Sequence, residues 1–259
     1  MGNALITGAT AGIGYELAKC FAQDGHNLIL VARTESRLET VANELSDDFD
    51  IDVNIIPADL SDPEMPEAIF DTVKEDGTYV DYLINNAGFG INGSFETTDL
   101  NTELNIIQVN AASVVALTKF FLQDMLAGEG GGIMNVSSIG AFQPVPFLNV
   151  YCATKAFVQS FTEALAYEQR KSNVHIMALC PGITSTEFIE RAEANDNPMM
   201  KAGLVPMQSA EAVAREGYRA FMARKTVVVT GLMNKIAVQY SRLTPNRIKT
   251  AVTGRFMAK

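Results

Sequence analysis

The stretch Ala4-Leu5-Ile6-Thr7-Gly8-Ala9-Thr10-Ala11-Gly12-Ile13-Gly14 decides how the rest of the chain is read. Its first four residues form a short apolar run of strand character. A glycine-rich turn follows, and Leu17, Ala18, Phe21 and Ala22 then recur at helical spacing. Strand, glycine turn and helix together make a phosphate-binding arrangement. Glycine lets the backbone approach an anion closely, and the helix N-terminus offers free N–H groups and a partial positive charge. The spacing Gly-x-x-x-Gly-x-Gly differs from the usual Gly-x-Gly-x-x-Gly. It also lacks the Lys-Ser/Thr ending of a triphosphate loop. A tight turn that needs small residues only for packing is the alternative.

Working outward, apolar strand-like runs recur at 27–32, 53–58, 81–84, 131–136, 174–180 and 226–230. Helical periodicity separates them, at 35–45, from Pro63 to about 75, at 97–108 and 111–126, from Tyr151 to 171, and at 209–223. Seven strands alternating with helices predict an α/β domain with a parallel sheet. A length of 259 residues suits one core of that kind. No repeat, low-complexity tract or internal boundary interrupts it before residue 230.

Most polar candidates fall at strand ends. Arg33 follows the second strand where a 2′-hydroxyl reader would carry an acid, and its planar fork suits a phosphate. Asp59 and Leu60 follow the third strand; Asp59 could accept from an adenine amino group or cap the next helix. Asn85-Asn86-Ala87-Gly88 ends the fourth strand, and Ser137-Ser138 the fifth. Asn110 interrupts an apolar helical run, where its side chain competes for backbone bonds. Residues 141–150 carry no charge. Tyr151 and Lys155 are four apart on a helix, so they share a face, and an ammonium near a phenol lowers its pKa. Such a pair can exchange a proton near neutrality. Pro181-Gly182-Ile183 follows the sixth strand, and 187–206 reads as a lid with Phe188, Met199 and Met200.

With 47% hydrophobic and 19% charged residues, the composition is that of a folded globular protein. The three cysteines have no metal-ligand spacing and read as reduced thiols. A strand starting near Asn3 leaves no room for a signal peptide, and no run of about 18 apolar residues occurs. The expectation is a cytoplasmic protein with no metal. The net charge of −10 is uneven: residues 1–214 carry 10 basic and 29 acidic residues, and 215–259 carry 10 basic and one acidic.

Taken together, Thr7-Gly8-x-x-x-Gly12-x-Gly14, Asp59, Asn85-Asn86-Ala87-Gly88, Asn110, Ser138, Tyr151-x-x-x-Lys155 and Pro181-Gly182 followed by Thr186 resemble the short-chain dehydrogenase/reductase (SDR) family, in the family's order and over nearly the whole chain. The resemblance implies a single Rossmann-like, doubly wound domain with helices on both faces of seven parallel strands. It implies Tyr151 as general acid or base and Ser138 as hydrogen-bond donor to the substrate oxygen. Lys155 would hold the nicotinamide ribose and lower the Tyr151 pKa, and Asn110 would hold a water that passes protons to solvent. Gly8, Thr10, Gly12, Ile13 and Gly14 would admit the phosphates; Asp59 and Leu60 would meet the adenine. Asn86, Ala87, Gly88, Pro181, Gly182, Ile183 and Thr186 would line the nicotinamide side.

The expected activity is reduction of an uncharged carbonyl, a lipophilic ketone or acyl group, or the reverse alcohol oxidation. Arg33 favours NADP(H) over NAD(H), although the glycine turn lacks a second basic residue. A non-catalytic NADP-binding sensor or scaffold is the alternative. Residues 1–230 form the catalytic domain. Residues 231–259 carry six Lys/Arg and no acid, and read as two amphipathic helices broken at Thr244-Pro245, with basic outer faces. They would pack on their own domain or a second subunit of a homodimer or homotetramer. The sharper expectation for them is contact with an anionic membrane surface. No nucleic-acid partner is expected.

Overall fold

The computed structural model describes residues 2–185 and 207–257. The glycine turn joins β1 (Asn3–Thr7) to α1 (Gly12–Gln23). Then come β2 (Asn27–Ala32), α2 (Glu35–Phe49), β3 (Val53–Pro57), α3 (Met65–Glu75) and β4 (Tyr82–Asn85). Helices α4 (Leu100–Ile107) and α5 (Ser113–Ala127) follow, then β5 (Gly131–Val136), α6 (Asn149–Glu168) and β6 (Val174–Cys180). The strands β7 (Thr184–Ser185) and β8 (Gln208–Ser209) precede α7 (Ala210–Met222) and β9 (Val227–Val229). The tail forms α8 (Leu232–Leu243) and α9 (Asn246–Met257).

Seven strands pair in parallel in the order β3-β2-β1-β4-β5-β6-β9. Successive side chains on β1 point to opposite faces. Ala4 and Ile6 join Phe21, Leu30, Met177 and Phe221 on one face. Leu5 joins Ile29, Leu83, Ile133 and Phe121 on the other. Both faces are covered by helices, which is why these strands read as continuous apolar runs rather than alternating ones. This is the expected doubly wound, Rossmann-like fold. Its order reverses between β1 and β4, and such a crevice at the strands' C-terminal ends is where these sheets bind ligands.

Three features differ from expectation. The helices anticipated on either side of Asn110 form one continuous stretch, and Gln108–Ala112 is a widened π turn within it. Leu100–Ala127 has the length and hydropathy of a membrane span, but Ile106, Leu117, Phe121 and Met125 are buried in the domain. The short parallel pair β7–β8, off the main sheet, was not foreseen. The outer face of α8 is basic and also apolar: Lys235 and Arg242 are exposed as expected, but so are Leu232, Met233, Ile236, Tyr240 and Leu243, while Asn234, Val238 and Ser241 are buried. The reason is hydrogen bonding. Asn234 Nδ2 donates to Thr230 O and Gln208 Oε1, and Ser241 Oγ to Phe142 O, so the polar side of α8 docks on the body. Lys235 pairs with Glu216 at 2.7 Å and stays exposed. The expected lid, with Phe188, Met199 and Met200, lies outside the described residues.

A buried polar ladder crosses the sheet centre. Asn85 Nδ2 donates to Thr118 Oγ1 at 3.0 Å and to Asn135 Oδ1 at 2.8 Å; Asn135 Nδ2 donates to Thr162 Oγ1 at 3.0 Å. Asn135→Ala removes a partner from two buried groups. It should lower the unfolding free energy in urea melts by about 1–3 kcal/mol.

Candidate active site

A cavity of about 960 Å³ runs along the C-terminal ends of β1, β4, β5 and β6, from the glycine turn to the tail helices. The glycine turn is shaped for close approach. Gly8 and Gly12 have φ of +66° and +58°, a region that side chains with a Cβ disfavour. A Cβ on Gly14 would sit 2.3 Å from Gly8 O. Helix α1 starts with no side-chain cap and no acid in its first turn, so its N–H groups stay open beside Thr10 and Ile13, which line the cavity.

The loop after β4 is strapped to this turn. Thr7 Oγ1 accepts from Asn86 N and Ala87 N, each at 3.0 Å. Asn86 Nδ2 donates to Thr7 O at 2.9 Å and Gly8 O at 3.2 Å. Asn86 is therefore a strap within the cavity wall. Arg33 lies at the far end with Thr34 and Arg37. Arg37 is a basic residue that the sequence reading missed; its place in the first turn of α2, just after Arg33, was the available signal. Asp59 and Leu60 line the cavity too, and Asp59 Oδ1 accepts from Ser61 N at 3.0 Å within its own turn; it does not cap α3, which begins at Met65 with no side-chain cap.

At the other end Asn110 binds the backbone of Phe89 in both directions. Its Nδ2 donates to Phe89 O at 2.8 Å, and its Oδ1 accepts from Phe89 N at 3.0 Å. Asn110 Nδ2 also reaches Thr154 Oγ1 at 3.2 Å, tying the π turn to α6. A Cβ on Gly88 would come within 3.0 Å of Asn110 Oδ1 and 3.1 Å of Lys155 Nζ, so any larger residue would press on both side chains. Lys155 is 4% exposed and donates to Val136 O at 2.9 Å. Tyr151 lines the cavity and is hydrogen-bonded to Ser138. Pro181, Gly182 and Ile183 form the adjoining wall, and Thr186 lies outside the described residues.

The electrostatics depart from the expected pairing. Burial pushes the Tyr151 phenol well above its ordinary range, and the bond with Ser138 only partly offsets this. Burial also pulls the Lys155 ammonium down to about 8. Desolvation acts on both groups, and the Lys155 Nζ stands 5.8 Å from the Tyr151 ring centroid. In the protein alone it therefore outweighs their mutual attraction. Cys152 and Cys180 are buried thiols pushed up to about 12, which leaves them protonated and unreactive.

The short-chain dehydrogenase family model matches residues 2–197. The chain belongs to the short-chain dehydrogenase family. Among its relatives, dehydrogenase/reductase SDR family member 7B of Mus musculus is 30% identical over 93% of this chain and 77% of that protein. The very-long-chain 3-oxoacyl-CoA reductase of Bos taurus is 33% identical over 71% of this chain and 60% of that protein. A short-chain dehydrogenase from Sphingobium yanoikuyae, solved with NADPH, is 29% identical over 94% of each chain, with a TM-score of 0.83. One from Burkholderia phymatum, solved with NAD, is 25% identical over 92% of each chain, also at 0.83. As a short-chain dehydrogenase, the chain is an oxidoreductase of the CH–OH/C=O group, and its glycine turn fits a nicotinamide dinucleotide.

The buried ammonium has a measurable signature. Lys155 has a folded pKa near 8 against an ordinary value of 10.5. Between those values the unfolded state binds more protons, so this group's contribution to stability rises with pH. Below about 8 the full cost of burying the charge applies, about 3 kcal/mol. Without added cofactor, Lys155→Met should thus be more stable than the parent at pH 7. That advantage should shrink as pH climbs from about 8 towards 10.5 in urea melts. A difference independent of pH would mean the ammonium is not desolvated.

Proposed function

We propose that this short-chain dehydrogenase uses NADPH to reduce a lipophilic ketone or acyl carbonyl, or runs the reverse alcohol oxidation. The observation that carries this reading is the convergence of Ser138, Tyr151 and Lys155 on one wall of a cavity whose other end is the glycine turn. When bound, the nicotinamide supplies or takes up the hydride. Gly8, Thr10, Gly12, Ile13 and Gly14 admit the phosphates, and Asp59 and Leu60 face the adenine. Ala87, Gly88, Pro181, Gly182 and Ile183 would line the nicotinamide side, with Asn86 holding the wall. Tyr151 gives the proton to the carbonyl oxygen, and Ser138, already bonded to Tyr151, orients that oxygen. Lys155 holds the ribose and favours the phenolate form of Tyr151. Asn110 fixes the 86–89 loop against α6 and holds the water through which Lys155 exchanges protons with solvent.

Arg33 and Arg37 together support the preference for NADP(H), because two guanidinium groups at one end of the cavity suit a 2′-phosphate. The lipophilic substrate is supported by Phe89, Val145, Leu148, Ile248 and Val252 on the cavity wall. We place the protein in the cytoplasm as a homodimer or homotetramer; exposed Leu104, Ile107 and Phe157 on α4 and α6 support pairing through those helices. The exposed apolar row of α8 beside the basic tail favours peripheral contact with an anionic bilayer.

Cofactor oxidation with a panel of aliphatic and aromatic ketones tests the reaction. NADPH should exceed NADH in kcat/KM by about 10- to 150-fold, and the preference should fall in Arg33→Ala and again with Arg37→Ala. Equal kcat/KM for the two cofactors would remove the NADP assignment. Tyr151→Phe should fold and bind cofactor but lose about 10²–10⁴-fold in turnover; rates within a few-fold of the parent would remove Tyr151 from the chemistry. For the bilayer, flotation with anionic liposomes should succeed at low salt, weaken at high salt and fail without residues 231–259.

A further inference from the structure

The charged side chains around the cavity divide by place. Arg33, Arg37 and Asp59 lie at the glycine-turn end, and Lys155 is bonded to Val136 O. The remaining charged side chain among the described lining residues is Lys249, on α9. Its hydrogen bonding is thin: Nζ donates to Phe142 O at 3.4 Å. Among the described residues no carboxylate lies within ion-pair reach of it. The tail offers none in sequence either, since 231–259 contains no Asp or Glu.

Lys249 is nonetheless held in place. Thr253 Oγ1, one turn further along α9, donates to Pro144 O at 3.2 Å. Ser241 Oγ on α8 donates to Phe142 O at 2.9 Å, the carbonyl that Lys249 also reaches. These bonds dock both tail helices on the loop that runs from Ser138 towards Tyr151. The other apolar side chains α9 gives to the cavity are Ile248 and Val252. An ammonium positioned on such a wall can form a charge-assisted hydrogen bond with an incoming oxyanion.

We infer that Lys249 is the anion-recognition residue of the substrate half, and that the substrate is an amphiphile: a carbonyl at Tyr151, an apolar body, and a carboxylate or phosphate at Lys249. The inference rests on the carbonyl-reductase reading and deepens it. It revises the expectation of an uncharged substrate, since only the reacting end is then neutral.

The test uses the full chain and three sets of probes: linear oxo-acids in which the ketone moves stepwise along the chain, their methyl esters, and the matching ketones ending in a phosphate. In parallel, decanoate and methyl decanoate are titrated calorimetrically, which reads the anion site without catalysis. At the best chain length, the acid or the phosphate should exceed the ester in kcat/KM by about 10- to 150-fold. The rank of acid against phosphate identifies the oxyanion. Decanoate should likewise bind more tightly than its ester. In Lys249→Gln the anion-over-ester ratio should collapse to about one, and Lys249→Arg should restore most of it. A parent enzyme that does not distinguish anion from ester, or a ratio that survives Lys249→Gln, would overturn the inference while leaving the reductase reading intact. Lys249-dependent decanoate binding without turnover of any ketone would do the reverse.

Discussion

The site depends on keeping an ammonium group out of water. Lys155 is almost wholly buried, with Val136 O as its close hydrogen-bond acceptor. Burial costs stability, and the protein tolerates it because the wall around Lys155 is over-determined. Gly88 packs closely against Lys155 and Asn110, and Asn110 grips both backbone groups of Phe89. Ser137 Oγ donates to Lys155 O at 2.8 Å, fixing the helix that carries the lysine to the end of β5. A desolvated cation held in this way responds strongly to any negative charge brought beside it, because the local dielectric is low. That is useful where a phenol must lose or gain a proton.

The same economy shapes the two ends of the cavity. At one end, Gly14 packs on Gly8 O and Asn86 straps the neighbouring loop, so backbone rather than bulky side chains shapes the glycine turn. At the other, α8 and α9 close the wall and hydrogen-bond the 139–148 loop. The tail thus holds the loop between Ser138 and Tyr151 at Phe142 and Pro144.

Much of the fold was legible because strands buried on both faces are written as unbroken apolar runs, and these mark the parallel sheet almost residue by residue. The candidate site residues were legible because they sit at strand ends and one helical turn apart. Three things were not. Arg37 lies beyond the strand end where phosphate readers are sought, and only the start of α2 brings it beside Arg33. That the apolar residues of α8 face outward along with Lys235 and Arg242 was not legible, because periodicity tells which residues share a side, not which side is covered; Asn234 and Ser241 settled that by finding hydrogen-bond partners on the body. The Tyr151 and Lys155 shifts come from tertiary burial, which a spacing of four residues does not encode.

The central claim is that this cavity carries out hydride transfer to a carbonyl. Its most direct measurement follows the atom. The protein is incubated with NADPH carrying deuterium at both C4 positions and with the ketone that the panel selects, and the alcohol is analysed by mass spectrometry. The account predicts one deuterium on the carbinol carbon of every product molecule, with label transfer largely lost in Tyr151→Phe. Tight NADPH binding with no deuterium transferred to any ketone would contradict it and leave a cofactor-binding protein without this chemistry.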